Sequence, residues 1–188
     1  DRAATLYFFH PLTRVFAGNG RPRMSVLMYH SVSNGNEDSV HPYYQVNTAP
    51  HVFKEQMRFL KQSGYAVVPL AEVARGVQSR ALSKRNCVAI TFDDGYRDFL
   101  EFAFPILRQY GFPATVFLPT AYIGDTPRIF KGRQCLTWSE VGELHKAGVA
   151  FGSHTVTHPQ LYAVEDEERG REVRDSKKGD VELIPGKT

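Results

Sequence analysis

The run "CVAITF" at residues 87–92 constrains the fold of this chain more than any other stretch. A continuous run of apolar and β-forming residues is typical of a strand that is covered on both faces, and such strands occur in parallel sheets flanked by helices. The run leads directly into Asp93, Asp94 and Gly95. Because two adjacent carboxylates repel each other, we expect a cation to hold them, with a metal ion as the first candidate.

Strand-like and helix-like segments alternate from Met24 onwards. The predicted strands cover residues 25–32, 65–70, 87–92, 114–119 and 149–154, and the predicted helices cover residues 51–64, 70–78, 96–111, 137–148 and 165–178. We expect Pro105 to kink or split the third helix. This alternation predicts parallel strands with crossover helices. A barrel and an open doubly wound sheet both fit the pattern. Five strands are too few for a full (β/α)₈ barrel of about 250 residues, so a smaller or incomplete barrel fits best.

Composition excludes several classes of protein. The 188 residues suffice for one domain with a sizeable core, and the net charge of +3 does not call for a nucleic-acid partner. Two cysteines do not make a disulfide framework, and no apolar run is long enough for a transmembrane segment. No signal-peptide pattern follows Asp1, so the residues leave the compartment open, as they do the oligomeric state. We expect residues 1–23 to form an N-terminal arm on a domain that spans residues 24–188.

Polar residues follow three of the predicted strands. His30 follows the first strand, Asp93 and Asp94 follow the third, and His154 follows the fifth, with His158 four residues later. Functional groups gather at the carboxyl ends of strands in parallel α/β folds. A helical turn after the fifth strand would place both histidines on one face. One carboxylate and two imidazoles make the three-ligand set of a catalytic zinc-type site, and the second carboxylate is free to take a proton from the attacking water.

Each feature alone has a simpler explanation. Paired aspartates suit a turn with a helix N-cap, a lone His-x-x-x-His is a weak metal signal, and His30 alone would be a packing residue. The occurrence of all three at the same end of β/α units favours the metal site. Tyr96 could line the cleft or pack in the core. We expect Asp98 to cap a helix or to pair with Arg97 or another neighbour.

The motifs "TFDDGYRD" and "SHTVTHPQL" resemble the first two motifs of the polysaccharide deacetylases of the NodB-homology type, carbohydrate esterase family 4. The segments "LMYHSV", "FKEQMRFLKQSGYAVVPL", "AFPILRQYGFPATVFL" and "LTWSEVGEL" resemble the branch of poly-β-1,6-N-acetylglucosamine N-deacetylases in particular. The similarity extends from about Met24 to Leu161. It implies a distorted (β/α) barrel, which in this branch is circularly permuted.

The resemblance also implies an activity and a role for each site residue. It assigns Asp93 as the general base, Asp94, His154 and His158 as ligands of one divalent ion, and His30 as the general acid. The ion would be zinc, with cobalt or nickel as alternatives. The implied reaction is hydrolysis of N-acetyl groups on a polysaccharide that contains N-acetylhexosamine, with release of acetate. The implied location is the bacterial cell envelope, the periplasm or the extracellular space. Tyr96 is a further expected substrate contact.

One departure from the family pattern affects these expectations. The third family motif, an aromatic–proline–tyrosine stretch, should follow the last helix, and "VELIPGKT" contains nothing like it. We therefore expect the deacetylase domain at residues 24–188 to be incomplete at its C-terminus. Two other functions stay open: a non-catalytic glycan-binding protein with a degenerate barrel, and a metal-dependent phosphoesterase, although the chain lacks a glycine-rich phosphate loop.

Overall fold

The computed structural model describes residues 24–35, 46–79 and 86–183. The strands are β1 (Met24–Tyr29), β2 (Ser31–Val32), β3 (Asn47–Thr48), β4 (Ala66–Val67), β5 (Cys87–Phe92), β6 (Thr115–Leu118), β7 (Ile129–Phe130), β8 (Arg133–Gln134) and β9 (Ala150–Ser153). The α-helices are α1 (Pro50–Gln62), α2 (Leu70–Ser79), α3 (Phe104–Tyr110), α4 (Trp138–Lys146) and α5 (Asp166–Leu183), with a π-helical turn at Phe99–Ala103 and a 3₁₀ turn at Thr120–Tyr122. The predicted arm at residues 1–23 lies outside the described residues.

Strand β5 organises the main sheet, and all of its residues are buried. It pairs in parallel with β1 along one edge, while β4 and β6 share the other edge. Strand β9 continues the sheet beyond β6, also in parallel. The prediction of an α/β fold with a parallel sheet is confirmed. No described strand joins β1 to β9, so barrel closure and the permuted order stay predictions.

Helix α1 covers the sheet through one apolar stripe. Its buried residues Phe53, Met57 and Leu60 recur at helical spacing. The Phe53 ring lies 5.0 Å from that of Tyr29 and 5.8 Å from that of Phe92, measured between centroids, and both contacts are edge-on. Burial of each large apolar side chain contributes roughly 1.5–3 kcal/mol to stability. These contacts fix the carboxyl ends of β1 and β5, from which the polar residues emerge.

Two predicted elements that contain prolines differ from the observed ones. The helix predicted over residues 96–111 is not split: helical residues continue without a break from Phe99 to Tyr110, but the first part is a π-helical turn in which the Phe104 N–H bonds to the Phe99 carbonyl. Pro105 follows in the first turn of α3, where it needs no N–H. The strand predicted over 65–70 is only Ala66–Val67. The Val68 N–H still bonds to the Val88 carbonyl, but the chain then leaves the sheet, because α2 begins at Leu70 and the Glu72 N–H bonds to the Pro69 carbonyl.

Helices α4 and α5 flank the last strand. Thr137 and Glu140 form a capping box at the start of α4. Helix α5 is largely exposed, but Glu172 and Ser176 are buried one turn apart where α5 packs against β9 and the 3₁₀ turn. None of the described helices combines the length and apolarity needed to cross a membrane.

Candidate metal centre

Backbone pairing aligns the ends of the strands that carry the predicted site residues. Tyr29 is in register with Phe92, so His30 and Asp93 are the next residues on neighbouring parallel strands. The Asp93 N–H extends this pairing by donating to the Tyr29 carbonyl at 2.9 Å. At the other end of the strand order, the His154 N–H donates to the Leu118 carbonyl at 2.9 Å. Because the strands are parallel, all of these residues lie at the carboxyl-terminal end of the sheet.

A tight turn directs Asp94 into the site. Asp94 has φ 69° and Gly95 has φ 60°, so two successive residues adopt the left-handed conformation. A Cβ atom on Gly95 would lie 2.8 Å from Leu118 Cδ2, and only glycine fits there without displacement of that side chain. The turn buries the Asp94 side chain, and the residue is 1% exposed. The aspartate pair is thus divided, with Asp94 enclosed and Asp93 half-buried at the end of β5.

Asp94 Oδ1 and two imidazole nitrogens form a compact donor set. The oxygen lies 3.5 Å from His154 Nε2 and 3.3 Å from His158 Nε2, and the three potential ligand atoms lie within 4.8 Å of one another. Oδ1 is fully enclosed and has no hydrogen-bond partner among the described residues. A buried carboxylate oxygen without a partner is costly, and a cation between these three atoms would satisfy it. Two imidazoles and one carboxylate are a donor set that suits zinc, so the residues fit a divalent ion.

Two other side chains contact the second carboxylate oxygen of Asp94, Oδ2. The Tyr96 hydroxyl donates to Oδ2 at 3.0 Å, and the half-exposed Lys131 Nζ lies 3.5 Å from the same atom. Tyr96 is only 2% exposed, so of the two positions expected for it, cleft or core, its side chain takes the one in the core. Its hydroxyl is thus in a place to orient the Asp94 carboxylate. Such outer contacts orient a ligating carboxylate and leave one oxygen directed at the metal.

The pKa directions agree with different roles for the ionisable groups. Burial tends to raise the pKa of Asp94, but the neighbouring His154, Lys131 and Tyr96 outweigh it and lower this pKa to about 2. Burial raises the pKa of Asp93, and the charges of His154 and His30 offset only part of that rise. Burial and the charge of Lys131 lower the pKa of His158, so its imidazole is held neutral, the form that ligates a metal. Asp93 is thus the more basic of the two carboxylates.

The segment between the two histidines is not the helical turn that was expected. Residues 154–158 are non-helical, and Thr155 and His158 have φ 67° and 59°. The His158 N–H donates to the Thr155 hydroxyl at 3.0 Å, which closes the loop on itself. The imidazole centroids lie 4.8 Å apart. The expected pairing of the histidines is therefore produced by a strained loop and not by helical pitch.

Asp98 fixes the segment that follows His30. It accepts hydrogen bonds from the Ser31 hydroxyl and the Val32 N–H, and Arg133 lies 4.0 Å away. The Asp98 side chain makes no helix cap, and Arg97 pairs with Glu101 and Glu140. Of the expected roles, only the pairing with another neighbour is found, and that neighbour is Arg133. The arginine that approaches Asp98 comes from the hairpin β7–β8. Sequence reasoning missed this hairpin and its Lys131, although Gly132 is a residue type that marks turns.

Comparisons with known proteins agree with this architecture. The family model for polysaccharide deacetylases matches residues 81–181. The chain belongs to the polysaccharide deacetylase family. A solved structure of similar fold is the Streptococcus pyogenes deacetylase PplD in complex with acetate, with a TM-score of 0.75 and 27% identity over 88% of this chain and 71% of PplD.

Two curated relatives of this deacetylase family member are longer than the chain. The Bacillus subtilis (strain 168) protein YxkH, whose name assigns it to the polysaccharide deacetylases, is 31% identical over 156 residues, which are 83% of this chain and 50% of YxkH. The poly-β-1,6-N-acetyl-D-glucosamine N-deacetylase of Escherichia coli (strain K12) is 28% identical over 139 residues, which are 69% of this chain and 20% of the relative. The chain thus spans half or less of the length of these relatives.

The position of Tyr96 in this deacetylase family member leads to a testable result. Tyr96→Phe removes the hydroxyl that donates to Asp94 Oδ2 and keeps the buried ring. We expect zinc affinity to fall by roughly 10-fold, the lower end of the effect of such outer contacts, while the fold is retained. Competition with a chromophoric chelator measures the affinity. Tyr122→Phe is a matched control because both tyrosine rings contact Phe130. Equal affinity for wild type and Tyr96→Phe would remove Tyr96 from the site.

Proposed function

We propose that this chain is a metal-dependent hydrolase that removes N-acetyl groups from a polysaccharide containing N-acetylhexosamine and releases acetate. One observation carries the proposal: a buried, unsatisfied carboxylate oxygen faces two imidazole nitrogens, with a second carboxylate beside it. Family membership gives the class of chemistry, and the name of the Escherichia coli relative suggests a β-1,6-linked N-acetylglucosamine polymer as the first substrate to test. The bacterial cell envelope, the periplasm or the extracellular space is the proposed location.

Asp94, His154 and His158 would hold the ion, for which zinc is proposed, with cobalt or nickel as alternatives. When bound, a divalent ion polarises a carbonyl group and lowers the pKa of water from the bulk value of about 15.7 towards neutrality. The donor set leaves room for water and substrate, because only three protein ligands converge among the described residues.

Asp93 and His30 divide the proton transfers between them. Asp93 accepts a proton as water attacks the acetyl carbonyl carbon, and its raised pKa makes it the stronger base of the pair. The carbon–nitrogen bond then breaks, and His30 donates a proton to the nitrogen. An amine leaves poorly as an anion, so this step requires an acid. The products are acetate and a free amine. The parallel register places the proposed acid and base on adjacent strands.

Acetate release tests the function directly. We expect the zinc-loaded chain to release acetate and free amine in equal amounts from β-1,6-linked N-acetylglucosamine oligomers, and to lose this activity when a chelator removes the metal. Glycan binding without acetate release by the fully loaded protein would favour the non-catalytic alternative. Release of phosphate from an aryl phosphate ester without release of acetate would favour the phosphoesterase.

The proposed acid has its own test. His30→Ala should leave metal binding intact and reduce deacetylation by roughly 10²- to 10⁴-fold, the usual contribution of a positioned acid. The loss should be smaller for acetyl esters, since an alkoxide leaves more readily than an amine anion. The ratio of amide to ester hydrolysis is the measurement, with the exposed His51→Ala on α1 as the control. Amide hydrolysis by His30→Ala at nearly the wild-type rate would leave His30 as a packing residue.

A further inference from the structure

The loop that carries the two histidines needs support from outside itself. Thr155 and His158 both adopt the left-handed conformation, and neither is glycine. This conformation is unfavourable for any residue with a Cβ atom, because the Cβ approaches the following carbonyl oxygen. Strain of this kind persists only where the surrounding structure holds the backbone in place. The contacts of residues 154–158 therefore show what keeps the imidazoles directed at Asp94.

Two carbonyl groups of the loop accept hydrogen bonds from a neighbouring turn. The Thr120 N–H donates to the Thr155 carbonyl at 3.1 Å, and the Ala121 N–H donates to the Val156 carbonyl at 2.9 Å. Both donors belong to the 3₁₀ turn that follows β6. These two hydrogen bonds thus connect the loop to the turn at the end of β6, a strand of the main sheet.

Two adjacent amide groups in the middle of the loop are bound by a single side chain. Glu172 Oε2 accepts the N–H groups of Val156 and Thr157 at 2.8 and 2.9 Å, and Glu172 Oε1 accepts the Thr157 hydroxyl at 2.7 Å. Glu172 is 8% exposed. Consecutive amides that converge on a carboxylate form a small anion-binding concavity, and such charge-assisted bonds are stronger than neutral ones.

A second contact from the same helix acts beside Glu172. The Ser176 hydroxyl, one turn further along α5, lies 2.7 Å from the Ser153 hydroxyl at the end of β9.

Burial tends to raise the pKa of Glu172, but the hydrogen bonds from Thr157 and Val156 lower this pKa overall, so the carboxylate stays ionised. Without this carboxylate, the N–H groups of Val156 and Thr157 would lose their acceptor, and the loop would lose its contact with α5 at these two residues.

We infer that Glu172 is a positioning residue, which holds residues 154–158 in the strained conformation that directs the Nε2 atoms of both histidines at Asp94 Oδ1. The inference rests on the proposed function, in which these atoms bind a divalent ion. Glu172 touches neither substrate nor metal. Its effect reaches the metal through the backbone of Val156 and Thr157.

Three variants of the full chain separate this role from general destabilisation. Glu172→Ala removes the hydrogen bonds between the side chain of residue 172 and the loop. Glu172→Gln keeps one oxygen for the two amides, while its NH₂ group can donate to the Thr157 hydroxyl oxygen, so it should rescue most of the effect. Glu168→Ala is the matched control, because Glu168 is an exposed glutamate on the same helix.

Metal affinity is the first measurement, with zinc and cobalt as probes in competition with a chelator. We expect Glu172→Ala to weaken binding by roughly 10- to 100-fold, Glu172→Gln to recover most of that loss, and Glu168→Ala to match the wild type. The visible absorption of bound cobalt should change in Glu172→Ala, because it reports the geometry of the ligands. Unchanged affinity and an unchanged cobalt spectrum in Glu172→Ala would overturn the inference.

Hydrogen exchange in the metal-free protein is the second measurement. The amides of Val156 and Thr157 should exchange faster in Glu172→Ala than in the wild type, while amides in β5 should not change. This measurement separates the two possible failures. A wild-type chain that binds neither zinc nor cobalt would refute the proposed function, and the exchange rates would still decide whether Glu172 holds the loop. Equal exchange of the two amides in both proteins would show that it does not.

Discussion

Replacement of either loop histidine with alanine is expected to abolish stoichiometric binding of zinc and cobalt. In His154→Ala and His158→Ala, one imidazole and one carboxylate remain, and this pair is too few for a stable protein site. Metal analysis after dialysis measures the occupancy. His51→Ala, which removes an exposed histidine on α1, should retain about one ion per chain. Full occupancy in both loop variants would refute the assignment of Asp94, His154 and His158 as ligands.

The same substitutions should remove the stabilisation that the metal confers. An ion that binds only the folded state at about 100 times its Kd contributes about 2.7 kcal/mol. For a domain of this size that corresponds to an increase in Tm of roughly 5 to 10 °C. A chelator should therefore lower the Tm of the wild type and leave that of His158→Ala unchanged. A chelator effect of equal size in both proteins would place the ion elsewhere.

Asp93→Asn is expected to keep the metal and to lose roughly 10²- to 10⁴-fold in turnover. Asparagine preserves the size of the side chain but cannot accept the proton of the attacking water. The backbone should stay in place, because the bond from the residue 93 N–H to the Tyr29 carbonyl does not involve the side chain. Asp94→Asn should instead weaken metal binding itself, since a neutral amide is a weaker ligand for a divalent ion.

Paired measurements on the two aspartates decide between their roles. Metal affinity and single-turnover acetate release are measured for both asparagine variants, with Asp125→Asn as an exposed control. Weak metal binding in Asp93→Asn together with retained metal in Asp94→Asn would exchange base and ligand.

The parts of the fold that follow from local pattern were predictable from the sequence. The apolar run of β5 matches the observed strand residue for residue, and α1 differs from its prediction by one residue at its start and two at its end. Strand β5 is a continuous apolar run and α1 has a strong helical period, and both elements have clear flanking signals. The two-residue strand β4 and the π-helical turn were not predictable, because their limits depend on individual backbone hydrogen bonds that leave no periodic pattern in the sequence.

The candidate site was predictable as a set of strand ends but not as a geometry. Parallel strands bring their carboxyl ends to one edge, and that argument was enough to bring together Asp94, His154 and His158. The left-handed backbone at Thr155 and His158 gives no sequence signal, because neither residue is glycine. The buried contacts of Tyr96 and Glu172 depend on tertiary packing between elements that are distant in sequence.

The register between β1 and β5 limits how far the positions of His30 and Asp93 can change among related sequences. His30 and Asp93 directly continue two paired strands, so strand spacing of about 4.8 Å governs the separation of the proposed acid and base. Insertions in the loops after Gly124 or Leu161 would reshape the surroundings without altering that separation. Under the proposed function, new substrate preferences can therefore arise by changes in loop length while the proposed acid and base keep their separation.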